Sequence, residues 1–146
     1  MKIESQPSFF FDERPHGVAI DTIIIHAMHA PGAPNPCDPK TCIQVLENHR
    51  VSAHYLIDRT GTVWQTVTED KRAWHAGESR MPFDTDTREN VNHFSIGIEL
   101  LGQENESFTE AQYQTLAELC ASISSRHPIS AIIGHHHIAP QRKSDP

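Results

Sequence analysis

Histidines and a terminal lysine and aspartate are the residues of this sequence best suited to chemistry. The 146-residue chain has 11 histidines against 12 lysines and arginines, and residues 134–146 read GHHHIAPQRKSDP. Neutral imidazole is the commonest protein metal ligand and also a general acid or base near pH 7. Three cysteines are too few for a cysteine-rich zinc site or a disulfide framework. We therefore expect a metal, if present, to be held by histidine and carboxylate.

Three residues could hold a catalytic zinc ion, which needs three protein ligands and one open position for water. His26 ends the apolar run DTIIIH, and Asp145 lies close to the end of the sequence. One histidine of the terminal run would complete a set of two imidazoles and a carboxylate. Spacing leaves His135 and His137 as equal candidates, because alternation in an extended chain places both on one side.

Glu99 and Lys143 would turn such a metal site into a hydrolytic one. In the strand-like segment SIGIEL, alternation places Ser95, Gly97 and Glu99 on the face opposite the isoleucines. In an extended RKSDP, Lys143 and Asp145 project to the same side. This set suits hydrolysis of a carbonyl compound: Glu99 would take a proton from water activated by zinc, and Lys143 would help to stabilise the oxyanion.

Each of these residues also has an ordinary structural interpretation. His26 alone is more often a core histidine bonded to the backbone, and the terminal lysine and aspartate are most often a solvated pair worth about 0–1 kcal/mol. Glu99 could lie in water at a strand end, while Trp74 and His75 could simply anchor a loop. Their order along the chain favours a shared site, because ligands gather at the carboxyl ends of strands in open α/β sheets.

Strands and helices alternate along the chain. Apolar runs and turn residues predict buried strands in DTIIIHAMHA and FSIGIELLG, a hairpin in VSAHYLIDRTGTVWQTV and a last short strand in SAIIGH. KTCIQVLENHR predicts a short helix. TEAQYQTLAELCASISSRHP predicts a longer one, with a capping box and an apolar face of Tyr113, Leu116, Ala117, Cys120 and Ile123. We expect residues 1–146 to form one α/β domain with a central mixed β-sheet flanked by α-helices.

The composition argues against several classes of partner. A formal net charge of −7 disfavours nucleic acid and anionic membranes, because both are bound through clustered lysine and arginine. No apolar run reaches the roughly 18 residues that cross a bilayer, and the first residues lack the features of a signal peptide. We expect a monomer with no nucleic-acid partner and no membrane span. The cytoplasm is favoured over a periplasmic or secreted location.

Taken together, these segments resemble the AmpD-like N-acetylmuramoyl-L-alanine amidases, within the type 2 amidase and peptidoglycan-recognition-protein superfamily. From about residue 12 to the end, the matching pieces are IIIHA, RVSAHYLIDRTGTV, DKRAWHAG, FSIGIEL, TEAQYQTL and GHHHIAPQRKSDP, in family order. The resemblance implies one Zn²⁺ per chain, with His26, His135 and Asp145 as its ligands. It also implies Glu99 as the catalytic acid and base and Lys143 as the oxyanion-stabilising cation.

The resemblance implies a substrate as well. It is the amide between the lactyl group of N-acetylmuramic acid and the L-alanine of the stem peptide, in intact peptidoglycan or in anhydromuropeptides released for recycling. Arg50, His54, Trp74 and His75 match family positions that line the cleft, and Arg50 could pair with a stem-peptide carboxylate. The alternatives are a non-catalytic peptidoglycan-binding module, since relatives that lose a ligand can keep the groove, and a zinc hydrolase of another amide.

Three features depart from the family. His137 stands where the pattern GHxDIAP usually has aspartate, so a carboxylate that braces the ligand loop would be missing. The sequence stops at Pro146, where relatives continue, which implies either a trimmed chain or a loosely held Asp145. Cys37 and Cys42 lie where peptidoglycan-recognition proteins carry a disulfide loop, and a bridge or two free thiols would both fit the spacing.

Overall fold

The described residues form eight β-strands and three α-helices. The computed structural model describes residues 1–141, 143 and 145. The elements are β1 (Ile3–Ser5), β2 (Phe11–Glu13), β3 (Thr22–Met28), α1 (Pro39–Asn48), β4 (Tyr55–Ile57), β5 (Val63–Gln65), β6 (Lys71–Ala73), β7 (Ser95–Leu101), α2 (Glu110–Arg126), β8 (Ala131–Gly134) and the single turn α3 (His135–Ile138). A 3₁₀ turn over Val91–His93 leads into β7. No helix among these residues is long and apolar enough to cross a membrane.

Six strands make one mixed sheet, in the order β1-β5-β4-β7-β3-β8. Strands β4 and β5 form the expected antiparallel hairpin, whereas the other neighbouring pairs are parallel. The two apolar runs predicted as buried strands, β3 and β7, lie side by side near the middle of the sheet. The predicted α/β class, with a central mixed sheet flanked by helices, is confirmed.

Helix α2 covers one face of the sheet through Leu116, Cys120 and Ile123 of the predicted apolar face, whereas Tyr113 and Ala117 of that face are exposed. Its predicted capping box is present, with the Thr109 hydroxyl and the Gln112 side chain bonded to each other's backbone N–H. Leu119, Ile123 and Gln112 are buried, whereas Tyr113 is 53% exposed. The predicted face was wrong at Tyr113 because Gln112 turns inward: its amide nitrogen donates to the carbonyls at positions 57 and 101, so a polar residue is satisfied in the core.

The turn of the hairpin is set by an aspartate and a glycine. Asp58 Oδ1 accepts hydrogen bonds from the backbone N–H groups of Thr60 and Thr62. Gly61 has a φ of +86°, and a Cβ added there would lie 2.9 Å from the Ala111 carbonyl oxygen in α2. The sequence Arg-Thr-Gly therefore both closes the turn and lets the hairpin pack closely on the helix.

A partly buried ion cluster joins the end of α2 to the loop after the hairpin. Both Glu69 carboxylate oxygens accept hydrogen bonds from Arg126, one accepts from the Tyr55 hydroxyl, and the other is bonded to the His127 ring. Burial alone would raise the pKa of Glu69, but the hydrogen bonds outweigh it and lower the pKa to about 2. The ionised carboxylate therefore contributes to the stability of this side of the molecule.

Short N-terminal strands complete the structure. β1 pairs with β5, and β2 pairs with β6 in a separate two-stranded sheet. Just after β2, the Arg14 guanidinium donates to the carbonyls of Glu69, Asn92, His93 and Ser95 and so joins three segments of chain. The sequence did not predict these strands, because each has only three residues and no apolar alternation.

Candidate metal centre

Three adjacent parallel strands bring the candidate residues into one row. On β3 and β7, His26 and Glu99 are direct register partners. On the other side of β3, Ile25 is the partner of Gly134, the last residue of β8, so the next position in that register is His135. The expectation that strand ends would gather these side chains is therefore met by the pairing of the sheet itself.

The terminal histidines lie on a helical turn, which separates His135 from His137. His135 is buried, with 5% of its surface exposed. The ring of His137 points back along the turn, where its Nδ1 accepts a hydrogen bond from the backbone N–H of Gly134 at 3.0 Å. Alternation had put both histidines on one side, and it fails here because the backbone is helical. The ring at 137 thus caps the turn.

His26, His135 and Asp145 offer three ligand atoms that all lie within 4.8 Å of one another. The two Nδ1 atoms are 3.0 Å apart. The carboxylate oxygens of Asp145 lie 3.4 Å from the Nδ1 of His26 and 3.3 Å from the Nδ1 of His135. Backbone contacts hold this last segment, since the Asp145 carbonyl accepts from the backbone N–H of His136. Of the three terminal histidines, the structure brings His135 to the site.

The chemistry of this donor set fits a metal ion. The Nε2 of His135 is 3.0 Å from the Ala76 carbonyl oxygen, which can only accept, so in the ring form with one proton that proton lies on Nε2 and Nδ1 keeps its lone pair. A carboxylate oxygen and the Nδ1 of His26 face the same point. Burial lowers the pKa of His26 to about 4, which favours its neutral, ligating form. Two neutral imidazoles and a carboxylate converging in this way are a known set for zinc.

Glu99 lies beside the three ligand atoms without being one of them. Its Oε1 is 3.9 Å from the Nδ1 of His26. Its Oε2 is buried and has no hydrogen-bond partner among the described residues. Burial, followed by the neighbouring charge of Asp145, raises the pKa of Glu99 to about 8. A cation bound at the three ligands would favour the ionised form and lower this pKa.

The three ligands, Glu99 and Lys143 all line one cleft, which has a volume of about 460 Å³. Its polar lining includes the three ligands, Glu99 and Lys143, the last of which is exposed. Its apolar lining includes Met28, Leu46 and Val51. A substrate that carries a carbonyl group and an apolar or sugar portion therefore has a surface of each kind to contact.

The four residues expected to bind substrate occupy different environments. Trp74 and His75 line the cleft. Trp74 is fixed by a bond from its indole N–H to Asp12, and the His75 ring is bonded to His26. His54 is fully buried: its Nδ1 accepts from the backbone N–H of Gly97 and its Nε2 donates to a carbonyl. Arg50 is exposed and lies outside the described lining of the cleft, next to Val51, which is part of it.

Asn92 and Gly97 support the site and were not identified from the sequence. The side-chain oxygen of Asn92 accepts from the backbone N–H groups of His75 and Ala76, so it holds the segment that touches both ligand histidines. A Cβ added at Gly97 would lie 2.4 Å from the His75 ring. A glycine inside a buried strand often marks such a close approach, and that was the available signal.

With the fold and site defined, the chain belongs to the N-acetylmuramoyl-L-alanine amidase family, which its sequence matches over residues 16–146. It is 39% identical to the 1,6-anhydro-N-acetylmuramyl-L-alanine amidase AmpD of Citrobacter freundii, over 96% of this chain and 81% of that protein. The fold matches a crystal structure of an AmpD derivative with a TM-score of 0.82, at 37% identity over 99% and 87% of the two chains.

A second solved structure is a complex. It contains the amidase AmiD of Escherichia coli with the substrate anhydro-N-acetylmuramic acid-L-Ala-D-gamma-Glu-L-Lys. This chain matches it with a TM-score of 0.73 at 30% identity, over 92% of this chain and 56% of AmiD. The predicted family is therefore confirmed.

Proposed function

We propose that this protein is a zinc-dependent N-acetylmuramoyl-L-alanine amidase, with residues 1–146 acting as one domain. The proposal is that it hydrolyses the amide between the lactyl group of N-acetylmuramic acid and the L-alanine of a stem peptide. The observation that carries it is the convergence of two imidazoles and a carboxylate beside a buried carboxyl oxygen of Glu99 that has no hydrogen-bond partner among the described residues. The similarity to AmpD over most of both chains supports the same activity.

His26, His135 and Asp145 would hold the ion, and the cleft leaves one side of it open to substrate. A bound zinc ion supplies Lewis acidity, which acidifies water and polarises a carbonyl. The protein contributes the orientation of the ligands: the outward N–H of His135 is fixed on the Ala76 carbonyl, and Asp145 is fixed through its backbone. The buried setting removes competing water from two of the three ligands.

Glu99 is placed to move the proton that hydrolysis requires. As a carboxylate, its free Oε2 would take a proton from the attacking water and then return it to the departing amine nitrogen. Burial raises the pKa of Glu99 and a bound cation would lower it again, and these opposing effects would let the carboxyl first take the proton and then return it. Lys143 lines the same cleft, where its ammonium group would stabilise the negative charge that develops on the carbonyl oxygen.

The substrate we propose is a muropeptide. AmiD was solved with an anhydro-N-acetylmuramyl peptide as substrate, and AmpD is named for the 1,6-anhydro form. Trp74 and the apolar residues that line the cleft would pack against the sugar or the peptide backbone. Arg50, beside Val51 at the edge of the cleft, would pair with a peptide carboxylate, while the buried His54 would act by supporting the strand at Gly97.

The test is to incubate the zinc-loaded protein separately with peptidoglycan sacculi and with soluble anhydromuropeptides and to identify products by mass spectrometry. We expect free stem peptide from the anhydromuropeptide. Glu99→Gln should lower kcat about 10²–10⁴-fold while zinc stays bound. The matched control is Glu104→Gln, which removes an exposed carboxylate and should leave kcat unchanged.

Metal content separates this function from the alternatives. His135→Ala should lose stoichiometric zinc, whereas His136→Ala should keep it, because the His136 ring contacts the Asp145 carbonyl and the ring of His137 and supplies no ligand atom. A wild-type protein that binds muropeptide but stays inactive after zinc addition would be a binding module. A zinc-loaded protein that cleaves other amides but no muropeptide would be a hydrolase of another substrate. Either result would contradict the proposal.

A further inference from the structure

A short segment behind the metal centre receives the outward-facing nitrogens of both ligand histidines. The Nε2 of His135 donates to the carbonyl oxygen of Ala76 at 3.0 Å. The Nε2 of His26 lies 2.9 Å from Nδ1 of the preceding residue, His75. The Ala76 carbonyl can only accept, so it fixes a proton on Nε2 of His135. The imidazole does not, because a ring nitrogen can donate or accept.

The chain of bonded groups continues inward from His75. Its Nε2 lies 3.1 Å from the hydroxyl oxygen of Ser95, which is fully buried at the start of β7. Two proton arrangements are compatible with these distances. In one, His26 carries its proton on Nδ1; in the other, it carries the proton on Nε2 and donates it to His75, which then donates its own proton from Nε2 to Ser95. Only the second leaves the Nδ1 of His26 free to bind a metal.

We propose that His75, backed by Ser95, is a positioning residue that holds His26 in its Nδ1-ligating form. Outer partners of this kind set the tautomer and ring orientation of metal-binding histidines, and their loss typically weakens metal binding about 10–100-fold. The inference rests on the proposed zinc amidase function. It adds a residue that acts on the metal through His26 rather than on the substrate.

The packing around His75 explains why its ring stays in this position. The ring lies directly over Gly97, where a Cβ would come within 2.4 Å of it. The backbone N–H of His75 is held by the side chain of Asn92. The His26 and His75 rings meet edge to face, with centroids 5.1 Å apart. Both ring nitrogens of His75 are engaged within the protein, so what it can offer a substrate is the surface of the ring.

Proton positions in the wild-type protein give the first test. In the zinc-loaded, ¹⁵N-labelled protein, long-range ¹H–¹⁵N correlation spectra report which nitrogen of each imidazole carries the proton. We expect the Nε2–H form for both His26 and His75. A proton on Nδ1 of His75 in the loaded protein would overturn the proposal, whatever any variant does.

Zinc affinity, measured by chelator competition, gives the second test. His75→Leu removes the acceptor and should weaken binding about 10–100-fold. His75→Gln restores an acceptor oxygen and should recover part of the loss, and Ser95→Ala should weaken binding less than His75→Leu. His16→Leu, a matched change at an exposed position, should bind zinc as the wild type does.

The outcomes separate this inference from the function on which it rests. A wild-type protein that binds no zinc would refute the proposed function. A wild type that binds zinc, together with a folded His75→Leu that binds within twofold of it, would refute the role of His75 alone. If His75→Leu does not fold, Ser95→Ala and the wild-type spectra decide: unchanged affinity in Ser95→Ala with an Nδ1–H tautomer at His75 would contradict the proposal.

Discussion

Glu99→Gln should stabilise the metal-free protein, and the gain should grow as the pH rises. Glu99 is 7% exposed, and its pKa is raised to about 8 by burial and by the charge of Asp145. In the unfolded chain the same carboxyl has its ordinary pKa of 4.5. The folded state therefore opposes an ionisation that the unfolded state permits. Glutamine has the same shape and no charge, so it removes this conflict.

The size of the effect follows from the difference between the two pKa values. Below pH 4.5 the carboxyl is protonated in both states and contributes no difference. Between pH 4.5 and 8 the folded state holds one more proton, so the free energy of unfolding falls by about 1.4 kcal/mol per pH unit. The loss is about 3 kcal/mol by pH 7 and about 5 kcal/mol at pH 8 and above. An unpaired glutamine amide costs about 1–3 kcal/mol, but by the same amount at every pH.

The diagnostic quantity is therefore the change with pH of the difference in unfolding free energy between Glu99→Gln and wild type, rather than the size of that difference at one pH. Urea denaturation in the presence of a chelator, at pH 5, 6, 7 and 8, measures the free energy of unfolding of both proteins. We expect the advantage of Glu99→Gln over wild type to increase by about 3 kcal/mol between pH 5 and 7. The surface variant Glu104→Gln should show no such trend. A constant difference between Glu99→Gln and wild type across this range would refute the reasoning.

Three further predictions concern parts of the fold outside the reaction. The pKa of Glu69 is lowered to about 2, so its ionised carboxylate contributes fully to the free energy of unfolding above pH 4.5. This contribution is lost as the pH falls towards 2. The difference in unfolding free energy between wild type and Glu69→Gln should therefore shrink by about 2–3 kcal/mol between pH 7 and pH 2. Thermal melts should show a larger loss for Gly61→Ala than for Gly17→Ala, because both glycines have positive φ but a Cβ meets the α2 backbone only at position 61. His137→Leu should lower the free energy of unfolding of the metal-free protein by about 0.5–2 kcal/mol, because leucine offers no acceptor for the Gly134 N–H. His137→Asp keeps an acceptor and should not lower it. Equal stability of the two variants would contradict the capping role.

Periodicity predicted the parts of the fold that are long and apolar. Strands β3 and β7 and helix α2 each have a repeating pattern over seven or more residues, and all three are present. The hairpin was predicted from its turn chemistry at Asp58 and Gly61. The short strands were missed because three residues cannot show a period, and their pairing is decided by tertiary contacts. Gln112 was absent from the predicted buried face because patterning counts apolar side chains only, whereas backbone carbonyls of two strands satisfy its buried amide.

The candidate site was predicted less from periodicity than from residue chemistry. Histidines and carboxylates placed after apolar runs indicated which side chains would meet, and the parallel register of β3, β7 and β8 brings them together. The choice of His135 over His137 needed the family register, because the helical turn at 135–138 is too short to be read from a pattern. His54 is buried and His75 is partly buried through contacts with Gly97, which is distant in sequence, and the glycine inside the predicted strand was the one local signal of these contacts.

The same contacts that make the metal-free site unfavourable make a loaded site favourable. Glu99 is disfavoured as an anion because its surroundings are buried and already hold the carboxylate of Asp145. The Nδ1 atoms of the two ligand histidines lie 3.0 Å apart and share at most one proton between them, because the Ala76 carbonyl holds the proton of His135 at the other nitrogen. A divalent cation between these groups would satisfy both lone pairs and offset both negative charges at once. Ion binding should therefore appear directly as increased stability of the fold, because the unfolded chain offers no such arrangement.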